Sequence, residues 1–172
     1  MLKIIGSLLI IATSTLIGMY FVKRQSYYIE DLHALNKGLT ILEREIHYAK
    51  SPLPAALEQI GMRLETSVSL FFTETAKELN KRTGKGIFAI WKEVIEKNLP
   101  YTYLTQEEQK LLFSFGKTLG YLDRDMQIKN IALIQAYLEE QIQQATMYKN
   151  QQARLYQRLG ILGGLLIVIV LL

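Results

Sequence analysis

The chain contains no cysteine, only three prolines and a single tryptophan. Without cysteine it can form no disulfide, no thiolate metal site and no cysteine nucleophile. Prolines and the eleven glycines interrupt few stretches of its 172 residues, and Leu, Ile, Ala, Glu, Gln and Lys are frequent. Because these are helix-forming residues, the composition predicts an all-α protein.

A strong charge of one sign is also missing. The 20 basic and 16 acidic residues give a formal net charge of +4. This is too little for the broad positive field with which proteins bind nucleic acids, so we expect no nucleic-acid partner. A chain of this length has room for one domain.

A long apolar run lies close to the N-terminus. Residues 4–22 carry no charge, and as a helix they would extend about 28 Å, close to the ~30 Å thickness of a bilayer's hydrocarbon core. A cleaved signal peptide is the alternative, but no A-x-A-like cleavage site precedes Lys23 and Arg24, and the run exceeds a usual signal-peptide core. We predict a retained transmembrane helix over residues 1–22.

A second apolar run, residues 159–172, ends the sequence. As a helix it covers about 21 Å, which is short for a span. It extends to Leu155 if Arg158 reaches the headgroups and Tyr156 lies in the interface. A buried core helix is the alternative. We predict a second transmembrane helix over residues 155–172, in a locally thinned bilayer or a shared site.

Basic residues flank the inner ends of both predicted spans. Lys23 and Arg24 follow the first, and Lys149, Arg154 and Arg158 precede the second. Cytoplasmic flanks of membrane helices are enriched in Lys and Arg. We therefore predict a multi-pass membrane protein in which residues 23–154 form a cytoplasmic helical domain.

Apolar residues recur every three or four positions through this domain, which predicts a bundle of about six helices. The first continues the membrane helix, with an apolar stripe at Ile29, Leu32, Leu35, Leu39, Leu42 and Ile46. Ser51-Pro52-Leu53-Pro54 should end it, and Pro54 can open the second helix. Further helices are predicted near residues 68–81 and 87–98, separated by the turn Thr83-Gly84-Lys85-Gly86.

Capping residues predict the last two helices. Thr105 and Glu108 form a capping box for the fifth, which should close at Gly120. Asp123 should begin a long sixth helix, with Ile131, Ile134, Leu138, Ile142 and Ala145 on its apolar face. This helix should run into the second membrane segment.

Residues that carry chemistry are sparse. His33 and His47 would lie about 21 Å apart along one helix, so they cannot share a metal ion. Gly84-Lys85-Gly86 lacks the spacing and the Ser or Thr of a phosphate-binding loop. The basic cluster of Lys77, Lys81, Arg82 and Lys85 could contact lipid headgroups or an acidic partner, although a solvated helix end is the favoured interpretation. We expect no enzyme activity, metal or cofactor.

Small residues in both predicted spans suit close helix packing. Ser14 and Gly18 are four positions apart in the first, and Gly160 and Gly164 in the second, a spacing that lets two membrane helices approach closely. These four residues are candidate packing positions.

The sequence resembles the stage III sporulation protein AB family of endospore-forming bacteria over its whole length. The motifs that carry the resemblance are Leu42-Glu43-Arg44-Glu45-Ile46-His47-Tyr48, Ser51-Pro52-Leu53, Phe115-Gly116-Lys117-Thr118-Leu119-Gly120, and the nearby Asp123 and Gln127. The resemblance implies a helical domain similar to the platform protein of type II secretion and type IV pilus systems.

It also implies a role in sporulation without catalysis. Members of the family belong to a complex that spans the mother cell and forespore membranes, and the expected partners are a secretion-type ATPase of the same operon and other membrane proteins of the complex. The expected location is the membrane of the mother cell around the forespore, with the lipid bilayer as a further partner. Two rival functions are a membrane adaptor or tether unrelated to secretion, and a lipid or peptidoglycan enzyme.

Six residues are candidates for contact with a partner because they lie around the end of the first long helix. They are Glu43, Glu45, Tyr48, Ser51, Pro52 and Leu53. Maintenance of the fold is the alternative role for all six, as it is for Gly116 and Gly120.

Overall fold

A computed structural model describes the backbone of residues 2–49, 51–119 and 123–171, and within these the side chains of residues 20, 22–48, 51–119, 123–152 and 155. The described residues form six α-helices and no strand, which confirms the predicted all-α class and the number of helices. They are α1 (Leu2–Arg44), α2 (Leu53–Arg63), α3 (Ser69–Asn80), α4 (Ile87–Asn98), α5 (Gln106–Thr118) and α6 (Arg124–Leu171).

The chain divides into two compact units. One consists of Met1–Tyr27 with Gln143–Leu172, and the other, which we call the central unit, is Tyr28–Ile142. The long helices α1 and α6 contribute to both units. Among the described residues no helix combines the length and apolar character needed to cross a bilayer. The predicted spans at 1–22 and 155–172 lie almost wholly on side chains outside the described residues and stay predictions.

The core of the central unit is formed by the predicted apolar stripes. Leu32, Leu35, Leu39 and Leu42 of α1 are all buried, while Ile46 packs partly buried at the edge of the core. The largest fully buried side chains come from all six helices: Leu32, Leu35, Leu39, Leu42, Leu57, Ile60, Phe71, Phe72, Trp91, Ile95, Leu112 and Ile131. Burial of such side chains contributes about 1.5–3 kcal/mol each to folding.

The end of the first long helix differs from a simple α-helical stop. After Arg44 the chain makes a π-helical turn over Glu45–Ala49 before α2 begins at Leu53. The first helix ends before Pro52, as the prolines predict. Pro52 is the N-cap of α2, and Pro54 lies in the first turn of α2. A π-helical turn is wider than an α-helical turn, is rare, and occurs frequently at functional sites. The predicted Pro-directed turn is therefore confirmed, and the π-turn is an addition to it.

Local capping fixes the start of α5 as predicted. The Glu108 carboxylate accepts hydrogen bonds from the Thr105 amide at 2.7 Å and from the Thr105 hydroxyl at 2.5 Å. The Thr105 hydroxyl oxygen in turn accepts from the amide of Glu107 at 3.2 Å. The predicted α5 stop at Gly120 lies outside the described residues, and α6 begins directly after Asp123.

Gly116 allows α4 and α5 to pack closely. A Cβ at this position would lie 2.2 Å from Trp91 Cδ1, a separation at which the indole ring would have to move. With glycine there, Trp91 Nε1 donates a 2.8 Å hydrogen bond to the Leu112 carbonyl. Close packing is thus the role of Gly116, as expected for a structural glycine.

The central unit has two ends, which we call near and far. At the near end the chain enters at Tyr28 and leaves at Ile142. Asp31 lies there beside the Thr66 hydroxyl and the Tyr103 amide, and Tyr28 beside Glu108. Seven residues further along α1, Gly38 packs against the ring of Phe72 in α3. Both segments thus advance in the same direction from the Asp31–Thr66 contact, so α3 runs parallel to α1. The far end therefore contains the π-turn, Pro52, the α3–α4 turn and the start of α6.

Candidate partner-binding site

A groove of about 570 Å³ opens at the far end of the central unit. One wall is the end of α1 with the π-turn, and the other is the first turn and a half of α6. Its lining residues are Thr40, Glu43, Arg44, His47, Tyr48, Asp125, Ile128 and Lys129.

Hydrogen bonds hold the two walls and their supports in place. Gln135 Nε2 of α6 donates to Thr40 Oγ1 of α1 at 2.8 Å. Asn130 Nδ2 donates to Thr118 Oγ1 at 2.8 Å and so joins α6 to the end of α5. Because these bonds fix helices and not loops, the groove is preorganised, and a ligand there would order little of the protein.

The groove carries both signs of charge. Glu43 and Asp125 supply carboxylates, and Arg44 and Lys129 supply cations. Among the described side chains none of these four takes part in an ion pair, whereas pairs such as Lys85–Glu93 and Lys97–Glu74 lie on α3, α4 and their connecting turn. Unpaired charges of both signs can orient a partner of complementary pattern.

An exposed aromatic ring stands at the rim. Tyr48 is 79% exposed, and its ring packs edge-on against that of His47 with 4.4 Å between centroids. Both lie in the π-turn. Tyrosine and arginine are enriched among the residues that contribute most to protein–protein binding, so Tyr48, four residues after Arg44, has the chemistry of an anchor.

The predicted partner-contact residues separate into two groups. Glu43 and Tyr48 line the groove, and Glu45 lies partly exposed in the same π-turn. Pro52 is exposed, Ser51 is half-buried, and Leu53 packs partly buried against the core. The packing of Leu53 favours the structural role for that residue. Ser14, Gly18, Gly160 and Gly164 lie among the side chains outside the described residues.

Sequence reasoning named two of the eight lining residues, Glu43 and Tyr48, and missed the whole α6 wall. Asp125, Ile128 and Lys129 belong to the α6 wall, and nothing in their local pattern marks them as a site. They join Glu43 and Tyr48 because α1 and α6 are antiparallel neighbours, which a single sequence does not specify. Asp123 and Gln127, which belong to the family motif, lie in the same segment. The backbone N–H of Gln127 donates to the backbone carbonyl of Asp123 at 2.9 Å.

A cluster of buried polar groups lies at the near end of the central unit. Asp31 and Glu108 are buried. Asp31 Oδ2 accepts from the Tyr103 amide at 2.7 Å, and Glu108 Oε1 accepts from the Tyr28 hydroxyl at 3.0 Å. Burial raises the pKa of the Asp31 carboxyl, partly opposed by its hydrogen bonds, and burial with the charge of Glu108 raises the pKa of the Tyr28 phenol.

This near-end cluster serves the fold. Its carboxylates accept from the backbone and from neighbouring hydroxyls, and so tie the α4–α5 connection to α1. His33 and His47 are both exposed. Within the described part of the chain no group of three or more histidines and carboxylates is arranged to hold a metal ion.

Comparison with known proteins identifies the family. The protein family described as "Stage III sporulation protein AB" matches residues 3–172 of the chain. The chain belongs to the stage III sporulation protein AB family. A relative of that name from Bacillus subtilis (strain 168) is 31% identical over 172 residues, covering 100% of each chain.

A solved structure extends the family likeness to the fold. Stage III sporulation protein AB (SpoIIIAB) superposes with a TM-score of 0.67 at 30% sequence identity, and the match covers 73% of this chain and 98% of that one. Membership of the family, and with it a part in sporulation, confirms the resemblance seen in the sequence motifs. The groove residues Glu43, Arg44 and Tyr48 lie within the motif that first indicated the family.

Proposed function

We propose that the chain is a non-enzymatic membrane component of a secretion-like sporulation complex, and that the far-end groove is its contact with a secretion-type ATPase. The observation that carries the proposal is the groove itself. It combines the charges of Glu43, Arg44, Asp125 and Lys129, which form no ion pair with any described side chain, with the exposed ring of Tyr48. Such a surface is suited to recognising a protein, because aromatic anchors and complementary charges give affinity and register.

Its membrane attachment rests on the sequence. The uncharged run of residues 4–22, the apolar run from Leu159 and the basic residues at Lys23, Arg24 and Arg158 support two anchors with the central unit in the mother-cell cytoplasm. That orientation would present the far-end groove to a cytoplasmic ATPase. The continuous α1 and α6 helices are consistent with segments that join a membrane anchor to a cytoplasmic bundle.

Charge reversal tests the groove as the contact. The full chain in detergent micelles, carrying Glu43→Lys with Glu45→Lys, should capture the purified ATPase at least about tenfold more weakly, which corresponds to about 1.4 kcal/mol. Its thermal unfolding should change little, because partly exposed charges contribute little to stability. Immobilised wild type and variant would be titrated with the ATPase.

The matched control reverses two exposed glutamates away from the groove. Glu65 lies just after the C-terminal end of α2, the end opposite Pro52. Glu139 lies about 15 Å from Lys129 along α6, at the rise of an α-helix. Glu65→Lys with Glu139→Lys should bind as wild type does. Equal binding by the groove variant would remove the groove from the contact. Wild type that captures no ATPase would instead favour a tether unrelated to secretion.

A further inference from the structure

The turn between α3 and α4, residues 80–86, is exposed at every position. It carries Lys81, Arg82 and Lys85, and Lys77 precedes it in the last turn of α3. Lys81 pairs with Glu78 at 2.5 Å and Lys85 with Glu93 at 2.8 Å. Arg82 takes part in no ion pair with any described residue. The turn is thus a small basic surface, and Arg82 is its one cation without an ion pair among the described residues.

The backbone at Arg82 is unusual. Its φ is 50°, and it is the non-glycine residue in the described chain with a positive φ. Its amide donates to the Leu79 carbonyl at 3.2 Å, so it occupies the left-handed position that ends a helix. Glycine normally fills this position because a Cβ is disfavoured there. Residues in disfavoured backbone conformations cluster at functional sites, and Arg82 is such a residue in an exposed turn.

The position of the turn selects its partner. α3 runs parallel to α1, so the turn lies at the far end with the groove, whereas the chain enters and leaves the central unit at the near end. The predicted membrane segments are connected to that near end. The groove and the turn thus lie at the same end of the central unit, and basic side chains are complementary to carboxylates.

We propose that residues 80–86 form a second docking surface, with Arg82 at its centre, for an acidic patch on the protein that occupies the groove. The inference rests on the proposed function, since the partner is the same ATPase. The two surfaces carry different charge patterns, so the partner would need an acidic patch set apart from the groove-binding element. Two separated contacts fix the orientation of a partner better than one does.

Four variants of the full chain in nanodiscs test the proposal, with the purified ATPase as the probe. Arg82→Glu should lower capture about fivefold or more, and Arg82→Lys, which keeps the charge, should stay within about twofold of wild type. Arg82→Gly should raise the unfolding midpoint, because glycine adopts a φ of 50° without strain, and yet weaken capture. Arg63→Glu, which replaces an exposed arginine in the last turn of α2, should change capture little.

Salt and lipid separate electrostatic docking to a protein from the alternatives. Capture by wild type should fall with added salt more steeply than capture by Arg82→Glu. Recruitment of free phosphatidylglycerol vesicles should be the same for both. Equal capture by wild type and Arg82→Glu would overturn the second surface alone. Loss of vesicle recruitment with normal capture would also overturn it and point to lipid. Absence of capture by wild type would overturn the proposed function together with it.

Discussion

At the near end of the central unit two carboxylates are buried and hydrogen-bonded, whereas the charged residues that line the far-end groove are partly or fully exposed. Asp31 and Glu108 accept hydrogen bonds from backbone amides and hydroxyls. Glu43, Arg44 and Lys129 meet no ion-pair partner among the described residues. A buried carboxylate is tolerated only where its hydrogen bonds are made, so Asp31 and Glu108 serve the fold. Under the proposed function, the groove charges are the ones that a partner would contact.

The comparison predicts that near-end carboxylates control stability. Glu108→Ala removes the acceptor for the Thr105 amide, the Thr105 hydroxyl and the Tyr28 hydroxyl at once. Loss of a capping interaction and of buried partners should lower the free energy of unfolding by about 3 kcal/mol. Denaturant unfolding of the full chain in micelles can be followed by the emission of Trp91, the single tryptophan, which is buried in the central unit.

Lys110→Ala is the matched control for this variant because Lys110 is an exposed residue of the same helix. It should change the free energy of unfolding by less than about 0.5 kcal/mol. A similar small effect of Glu108→Ala would show that the near-end cluster does not stabilise the unit.

A smaller effect should appear as pH dependence at Asp31. Burial raises the pKa of this carboxyl in the folded chain above its unfolded value. The folded state therefore holds the proton more tightly, and the contribution of Asp31 to stability is present at low pH and lost as pH rises through the folded pKa. The stability of wild type relative to Asp31→Asn should fall as pH increases from about 4, the ordinary value for aspartate.

Unfolding midpoints of both proteins, measured by Trp91 emission across that pH range, give the difference directly. Other titrating groups are common to the two chains and cancel if they act independently. A difference that stays constant, or that grows with pH, would mean that hydrogen bonds from Tyr103 and Thr66 outweigh burial at Asp31.

The far end should show the smallest effect on stability and a large one on binding. Tyr48→Ala should change the free energy of unfolding by less than about 0.5 kcal/mol, since the ring is 79% exposed. The same variant should weaken capture of the ATPase if Tyr48 anchors the partner. Titration of the immobilised full chain measures this.

Tyr101→Ala provides a control from the other end of the unit, where that side chain is 66% exposed. It should leave capture unchanged. Equal losses from both tyrosine variants would mean that exposed aromatic rings matter generally and that the two ends do not differ in recognition.

Local sequence rules determined the helices of this protein. The stripe from Leu32 to Leu42 chose the buried face of α1, Pro52 and Pro54 placed the start of α2, and the Thr105–Glu108 box began α5. Each of these depends on residues within a few positions of one another, so one sequence is enough to find it. The family could likewise be recognised from short motifs.

Only the tertiary structure decided which exposed residues share a surface. Asp125 and Lys129 are about eighty positions from Glu43 and Arg44 and meet them because α1 and α6 pack antiparallel. The burial of Glu108 beneath Tyr28, the π-turn at His47 and Tyr48, and the left-handed Arg82 were equally invisible in the pattern. Helix periodicity fixes which face of a helix is apolar, but packing decides which neighbour covers it and where the remaining polar groups gather.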